Sequence, residues 1–339
     1  MNLSDKEKLD RLKKTFELNF RLTRLFALYL ERFPELITEE MVRELTSDGY
    51  ITKTDAITAL LCEAFGLDDS RGGDERRLIR DYIRPAVRVL DPCRYTENKY
   101  YKNIKIKDVT DGSWELRLES YPAYRGVVCG DVIIGEDFSE IVPLGFFTEP
   151  FHFPAVLEGG NEWMTLTPVD LDTCEDAISE AHGKVITFGL GLGYYAYMVS
   201  EKDNVSSVTV IERSAEVIRL FKKHILPQFS HPEKIEIICE DAFLYAEEEM
   251  PKESYDYAFV DTWRDASDGA PMYAKMKALE HLSPQTQFSY WIENFLVSRR
   301  RAECFGELCD KLDSGAADAP SSYSEFEKRL RNYGCCQGF

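Results

Sequence analysis

The feature that most constrains this chain is a change of rhythm after residue 170. From there, short apolar stretches at 185–188, 208–211, 235–238, 257–260 and 288–292 alternate with segments of helical length. Strands separated by helical patterns imply a parallel sheet with right-handed crossovers, so the expected fold class is α/β. The first of these strands runs straight into Gly189-Leu-Gly191-Leu-Gly193 and then into a helix. Three glycines let a backbone turn sharply and approach a ligand with no Cβ in the way, and a helix start beyond them offers free amides.

The preceding sequence has two other rhythms. Over residues 5–33, Leu9, Leu12, Phe16, Phe20, Leu22, Leu25, Phe26 and Leu30 recur at mostly three- and four-residue intervals, the stripe of an amphipathic helix that Pro34 ends. Further helices are expected from Thr38, over 54–65 before Gly66, and over 74–90 before Asp91-Pro92. From about residue 100 the period drops to two, as in Ile104-Lys-Ile106 and Trp114-Glu-Leu116-Arg-Leu118. The expected organisation is a helical module at 1–98, a small β-rich module at 99–168, the parallel-sheet domain at 169–298 and a helical tail at 299–339.

Composition narrows the partners. The chain carries 41 Lys and Arg against 60 Asp and Glu, a net charge of −19, and its one dense basic run outside the N-terminal region is Arg299-Arg300-Arg301. A nucleic-acid partner is therefore disfavoured. The N-terminus enters a charged helical pattern with no apolar leader, and no run of 18 apolar residues occurs, which points to a cytoplasmic protein that does not enter membranes. The nine cysteines include no C-x-x-C and no Cys/His cluster at zinc spacing, so no metal is expected, and the vicinal Cys335-Cys336 reads as tail. Of the five histidines, His152, His224 and His281 have no useful spacing, and neither G-x-S-x-G nor H-E-x-x-H is present.

The ends of the other strands carry acids. Glu212 closes the second strand, 19 residues past Gly193, where a carboxylate can accept both hydroxyls of a ribose. The third strand ends in Cys239-Glu240-Asp241-Ala242, and the fourth, YDYAFVD, at Asp261. Glu212 and Asp241 also suit a simpler role, capping the helices that follow. Four consecutive strands delivering glycine or acid at one edge is nonetheless the pattern of a ligand-binding edge.

Over residues 168–296 the chain resembles the class I S-adenosylmethionine-dependent methyltransferases. The resemblance implies a Rossmann-like sheet in order 3-2-1-4-5 and S-adenosylmethionine as cofactor. It also implies Gly189, Gly191 and Gly193 facing the methionine part, Glu212 holding the ribose, Asp241 and Ala242 beside the adenine, and Asp261 near the transferred group. The phrase Trp163-Met-Thr-Leu-Thr-Pro168 looks like what precedes the sheet in some members, and its Thr167-Pro168 is expected to close over the cofactor. Members usually add a closing strand pair, but only 43 residues follow Leu296, reading as helix, loop and helix, so the sheet is expected to stop at five strands.

Two rivals share this edge. The stretch 255–273 resembles the aspartate-rich loop of spermidine-synthase-like aminopropyltransferases, where Asp261, Asp265 and Asp268 would bind a polyamine. The Gly-Gly-Gly-Asp-Gly loop of that family is replaced here by Gly-Leu-Gly-Leu-Gly, which lacks the acid. Gly191-Leu-Gly193-Tyr-Tyr-Ala196 also satisfies the nicotinamide pattern G-x-G-x-x-A, but counted from Gly189 the sixth place is the bulky Tyr194. Methyl transfer to a small-molecule or protein acceptor is the leading expectation, and a catalytically inactive cofactor-binding scaffold is the non-enzymatic one. Asp261 is the expected acceptor base, with Trp263, Arg264 and Tyr273 as pocket wall.

Overall fold

The computed structural model describes residues 3–264 and 266–332, the side chains of 266 and 267 excepted. Asp265 and Cys335-Cys336 therefore lie outside the described residues. The chain divides into two compact units that interleave in sequence: one from residues 1–90, 122–149 and 294–339, the other from 91–121 and 150–293.

The first unit is built on the helix Leu3–Arg32, which stops just short of Pro34. Its apolar stripe splits between two clusters. Leu22 and Phe26 pack with Ile57, Leu61, Ile83 and Phe146, while Leu9, Leu12 and Phe16 pack with Leu308, Phe326 and Leu330 of the helices Glu293–Ser314 and Tyr323–Asn332. Phe20, counted in the stripe by spacing, points outward and is 69% exposed. Helices Glu39–Thr46 and Lys53–Ala64 start at Thr38 and Thr52, whose hydroxyls accept from Met41 N and Asp55 N. The second of these caps is two residues earlier than the expected start.

The helix expected over 74–90 does not reach its end. After Gly73–Leu78 and a wider turn at Ile79–Ile83, the chain straightens at Val87–Leu90 into a strand parallel to Leu144–Phe147. Val87, Val89 and Leu90 satisfy either period, and pairing with a strand distant in sequence decides between them. Leu144–Phe147 also pairs antiparallel with Gly126–Val128.

The second unit holds two sheets. Val109–Asp111, Trp114–Tyr121, Phe151–Glu158 and Asn161–Thr165 form a four-stranded antiparallel sheet, whereas 104–108, expected to alternate as a strand, lies outside it. The other sheet is the parallel one. Gly183–Phe188, Val205–Glu212, Ile235–Cys239, Tyr257–Val260 and Gln287–Tyr290, its first to fifth strands, are ordered 3-2-1-4-5 with every neighbouring pair parallel. This is a Rossmann-like α/β sheet, and among the described residues no strand follows the fifth. Tyr257, Ala258, Phe259 and Val260 are all buried, as a central strand covered on both faces requires. No helix among the described residues is long and apolar enough to cross a membrane.

Candidate functional site

The glycine turn is pinned on both sides. Gly189 N donates to Ile211 O (2.8 Å) and Asp261 N donates to Phe188 O (2.8 Å), tying the end of the first strand to those of its neighbours. The three glycines then do different work. Gly189 has φ +102, and a Cβ there would lie 2.0 Å from the Asp261 carbonyl oxygen; Gly193 has φ +74, and its Cβ would lie 2.2 Å from the Phe221 ring. Both are required by the fold. Gly191, at φ +51, would meet only the tip of Met164 at 3.3 Å, so it alone faces space a flexible side chain shares. The following helix, Tyr194–Ser200, is short.

The acids at the strand ends also differ. Glu212 is buried, and its carboxylate spans the turn: Oε2 accepts from Leu190 N (3.2 Å) and Oε1 from Ser214 N (2.8 Å). Each oxygen retains a lone pair that a hydroxyl can use. Asp241 is half-buried and caps Ala242–Leu244, Oδ1 accepting from Phe243 N (2.9 Å) and Leu244 N (3.1 Å). Ala242, also half-buried, follows it. Asp261 has no such partners: among the described residues no hydrogen bond or ion pair engages its carboxyl. Burial first, and then the charges of Asp170 and Glu212, push that carboxyl up to about 8.

Gly189, Gly191 and Asp261 line one pocket with Met164, Asp170, Cys174, Tyr195 and Trp291, all within the second unit. Asp170 is the residue that sequence reasoning missed. It sits in the first turn of the helix Pro168–Glu180 as half of a capping box, Oδ2 accepting from Thr167 N (2.7 Å) and Thr167 Oγ1 (2.8 Å). The signal was present as Thr167-Pro168-Val169-Asp170, a helix start, but nothing in it tells which pocket the start faces. Burial, outweighing the two Thr167 bonds, lifts the Asp170 carboxyl to about 6. Burial likewise raises the Cys174 thiol and the Tyr195 phenol. Trp291 donates from its indole to Thr173 Oγ1 (2.9 Å), and Ile292 after it is held at φ +48, a conformation costing such a residue about 1–2 kcal/mol.

Behind the turn runs a tyrosine strap from 98–103. Tyr100 OH donates to Leu192 O (2.6 Å) within the glycine turn, and Tyr101 OH donates to Leu166 O (2.7 Å). Asn98 Nδ2 and Asn103 Nδ2 donate to Tyr194 OH (3.0 Å) and Tyr197 OH (2.7 Å). These bonds tie residues 98–103 to the glycine turn and to the helix that follows it.

No family model matches the chain, and no curated protein matches it. Solved structures do. A spermidine synthase from Thermotoga maritima and a spermidine synthase in complex with the transition state analogue AdoDATO are each 16% identical to it, with TM-score 0.31. Each match covers 44% of this chain, against 55% and 54% of theirs, about half the length of those proteins.

The expected pocket wall is placed elsewhere. Trp263 is buried and stacks at 6.4 Å on Tyr290, and Tyr273 meets the same ring edge-on at 4.9 Å. Tyr273 OH donates to Glu293 Oε1 (2.7 Å) and Tyr290 OH to Glu280 Oε1 (2.7 Å), with Lys277 paired to both carboxylates at 3.2 and 3.0 Å. Arg264 is exposed, its N–H donating to Asp268 Oδ1 (3.2 Å). None of these three expected residues lines the Asp261 pocket. His152 and His281 are exposed and His224 is half-buried, all away from it. No group of three or more His, Cys, Asp or Glu among the described residues is arranged to hold a metal ion.

Proposed function

We propose that the chain is a transferase that uses S-adenosylmethionine, moving its methyl group to a small-molecule or protein acceptor. The observation that carries this reading is the asymmetry of the turn: Gly191 opens to the pocket that Asp261 lines, with no partner for its carboxyl among the described residues, while Glu212 is bonded to Leu190 N of the same turn. The residues present fit an adenosyl sulfonium. Glu212 keeps lone pairs for ribose hydroxyls, Gly191 leaves room for the side arm, and Asp170 and Asp261 suit positive charge while no Lys, Arg or His lines the pocket. A dinucleotide fits less well, because its pyrophosphate would meet carboxyls and no cation.

When bound, S-adenosylmethionine supplies an electrophilic methyl group. The protein's part is alignment and proton handling. Asp261 holds a proton over much of the neutral range in the ligand-free pocket, and a positive charge beside it favours its ionised form. Asp261 is thus a base readied by cofactor binding, able to take the acceptor's proton. Asp241 and Ala242 would border the adenine.

A second reading, aminopropyl transfer, is favoured by one observation: a pocket without a lining cation suits a donor that lacks a carboxylate. Calorimetric titration with S-adenosylmethionine, S-adenosylhomocysteine, decarboxylated S-adenosylmethionine and NADH separates the readings. The expected result is tightest binding of the first two. Preference for the decarboxylated form would move the assignment to aminopropyl transfer, binding of NADH alone would overturn both, and binding without turnover on any acceptor would make the chain a scaffold.

A further inference from the structure

The pocket contains more recognition chemistry than the glycine and strand-end pattern accounts for. Asp170 reaches it from the first turn of Pro168–Glu180, Asp261 from the end of the fourth strand, and Tyr195 from the helix after the glycine turn. The Tyr195 ring stacks on Phe259 at 4.3 Å, another pocket wall. Tyr195 is only 7% exposed, and its buried hydroxyl has no hydrogen-bond partner among the described residues. Leaving a buried phenol unpaired forfeits its hydrogen bond with nothing in return, so it marks a place where a ligand group belongs. Two carboxyls and a hydroxyl are three acceptors in one enclosure with no lining cation. An alkylammonium presents three donors and no acceptor, the complementary set.

We propose that Asp170 and Tyr195 are ligand-binding residues which, together with Asp261, hold a primary ammonium group on the side arm of the bound nucleoside. The assignment rests on the adenosyl reading above and extends it to two residues outside the glycine and strand-end pattern. Thr167 has a part in it, because its two hydrogen bonds to Asp170 Oδ2 fix the carboxyl. The titratable groups around Asp261 are Asp170 and Cys174 from the helix Pro168–Glu180 and Glu212 from the second strand, with Tyr194 and Tyr195 of the helix after the glycine turn also lining the pocket. Glu162 adds negative charge near Asp170. None of these supplies a positive charge. An ammonium entering the pocket therefore meets carboxyls that must give up protons to receive it, and its affinity rises with pH until both are ionised without it.

The test uses two adenosine thioethers that differ in one group, 5′-(3-aminopropylthio)-5′-deoxyadenosine and its 5′-propylthio counterpart. The wild-type protein is expected to prefer the amine by about tenfold or more near pH 8.5, as charge-assisted hydrogen bonds allow, and less near pH 5.5. Asp170→Asn keeps an oxygen for the Thr167 cap, so the helix start survives. It is expected to cut the preference to under about threefold while leaving the propyl compound's affinity unchanged. Tyr195→Phe lowers the same ratio by a smaller factor and serves if the Asn variant does not fold. An unchanged ratio in both variants, or no preference in the wild-type protein, overturns the proposal while the nucleoside reading stands. Failure of the wild-type protein to bind either compound overturns the nucleoside reading and this proposal with it.

Discussion

The carboxyl edge of the parallel sheet has two sides, and they treat their acids differently. On the side of the second and third strands, Glu212 and Asp241 are each engaged by two backbone N–H groups, so both act on the protein itself, tying the glycine turn and capping a helix. On the side of the fourth strand, no hydrogen bond or ion pair among the described residues engages the Asp261 carboxyl, Asp170 gives one oxygen to Thr167, and the Tyr195 hydroxyl is unmatched among the described residues. Acids of the same type, at the same edge, are thus divided between those engaged by backbone amides and those that are not. A carboxylate engaged by backbone amides is held in place by the fold; burial raises the carboxyls of Asp261 and Asp170.

The contrast predicts where substitutions cost stability and where they cost binding. The largest separation is expected within the glycine turn. Gly193→Ala should destabilise the ligand-free protein by about 3 kcal/mol, because it combines a positive φ with a clash against Phe221. Gly191→Arg should lower stability by only about 1–2 kcal/mol yet abolish nucleoside binding. Thermal unfolding alongside calorimetry checks both, and equal loss of stability in the two variants would erase the distinction.

Glu212→Gln sharpens the same comparison on the engaged side. It leaves one of two buried N–H groups without an acceptor, so a loss of about 1–3 kcal/mol is expected before any ligand is added. Asp261→Asn should do the opposite. The folded carboxyl is raised from 3.8 to about 8, so its contribution to stability is fully present below pH 4 and is lost as pH climbs through 8; Asp170 adds a similar decline up to about 6. Wild-type stability should therefore fall from pH 4 to pH 8. Asp261→Asn should match the wild type at about pH 4 and exceed it at about pH 8. Denaturant titrations across that range decide the matter, and parallel curves for the two proteins would mean that Asp261 is not enclosed as described. The smallest effect is expected at Asp241, where Ala should cost about 1 kcal/mol through the lost cap and Asn should restore most of it.

Much of this arrangement was legible before any coordinates. Four apolar strands ending in glycine, Glu212, Asp241 and Asp261 specify a parallel sheet with its acids and glycines at one edge, because residue type and position along a strand are both local properties. The structure bears out the sheet order, and it brings Gly189, Gly191 and Asp261 into one pocket. Pairings across long sequence distances were not legible. Val87–Leu90 continues a helical pattern until Leu144–Phe147 claims it as a strand. The interleaving of the two units, in which 91–121 joins the sheet domain and 122–149 does not, leaves no mark in periodicity. Asp170 was hidden for a related reason: its capping box is written in the sequence, but its second neighbour, Asp261, lies 91 residues away. Trp263 and Tyr273 drew attention by proximity to Asp261, yet stack with Tyr290 instead, since a buried aromatic goes where it finds ring partners.

The central claim is that this edge holds an adenosyl ligand with its ribose on Glu212 and its side arm over Gly191. A crystal structure of the protein grown with S-adenosylhomocysteine tests it directly. The account predicts ribose hydroxyls within hydrogen-bond distance of the Glu212 carboxylate and the amino group of the side arm facing Asp170 and Asp261. A nucleoside bound elsewhere on the chain, or an empty pocket at saturating ligand, would contradict it.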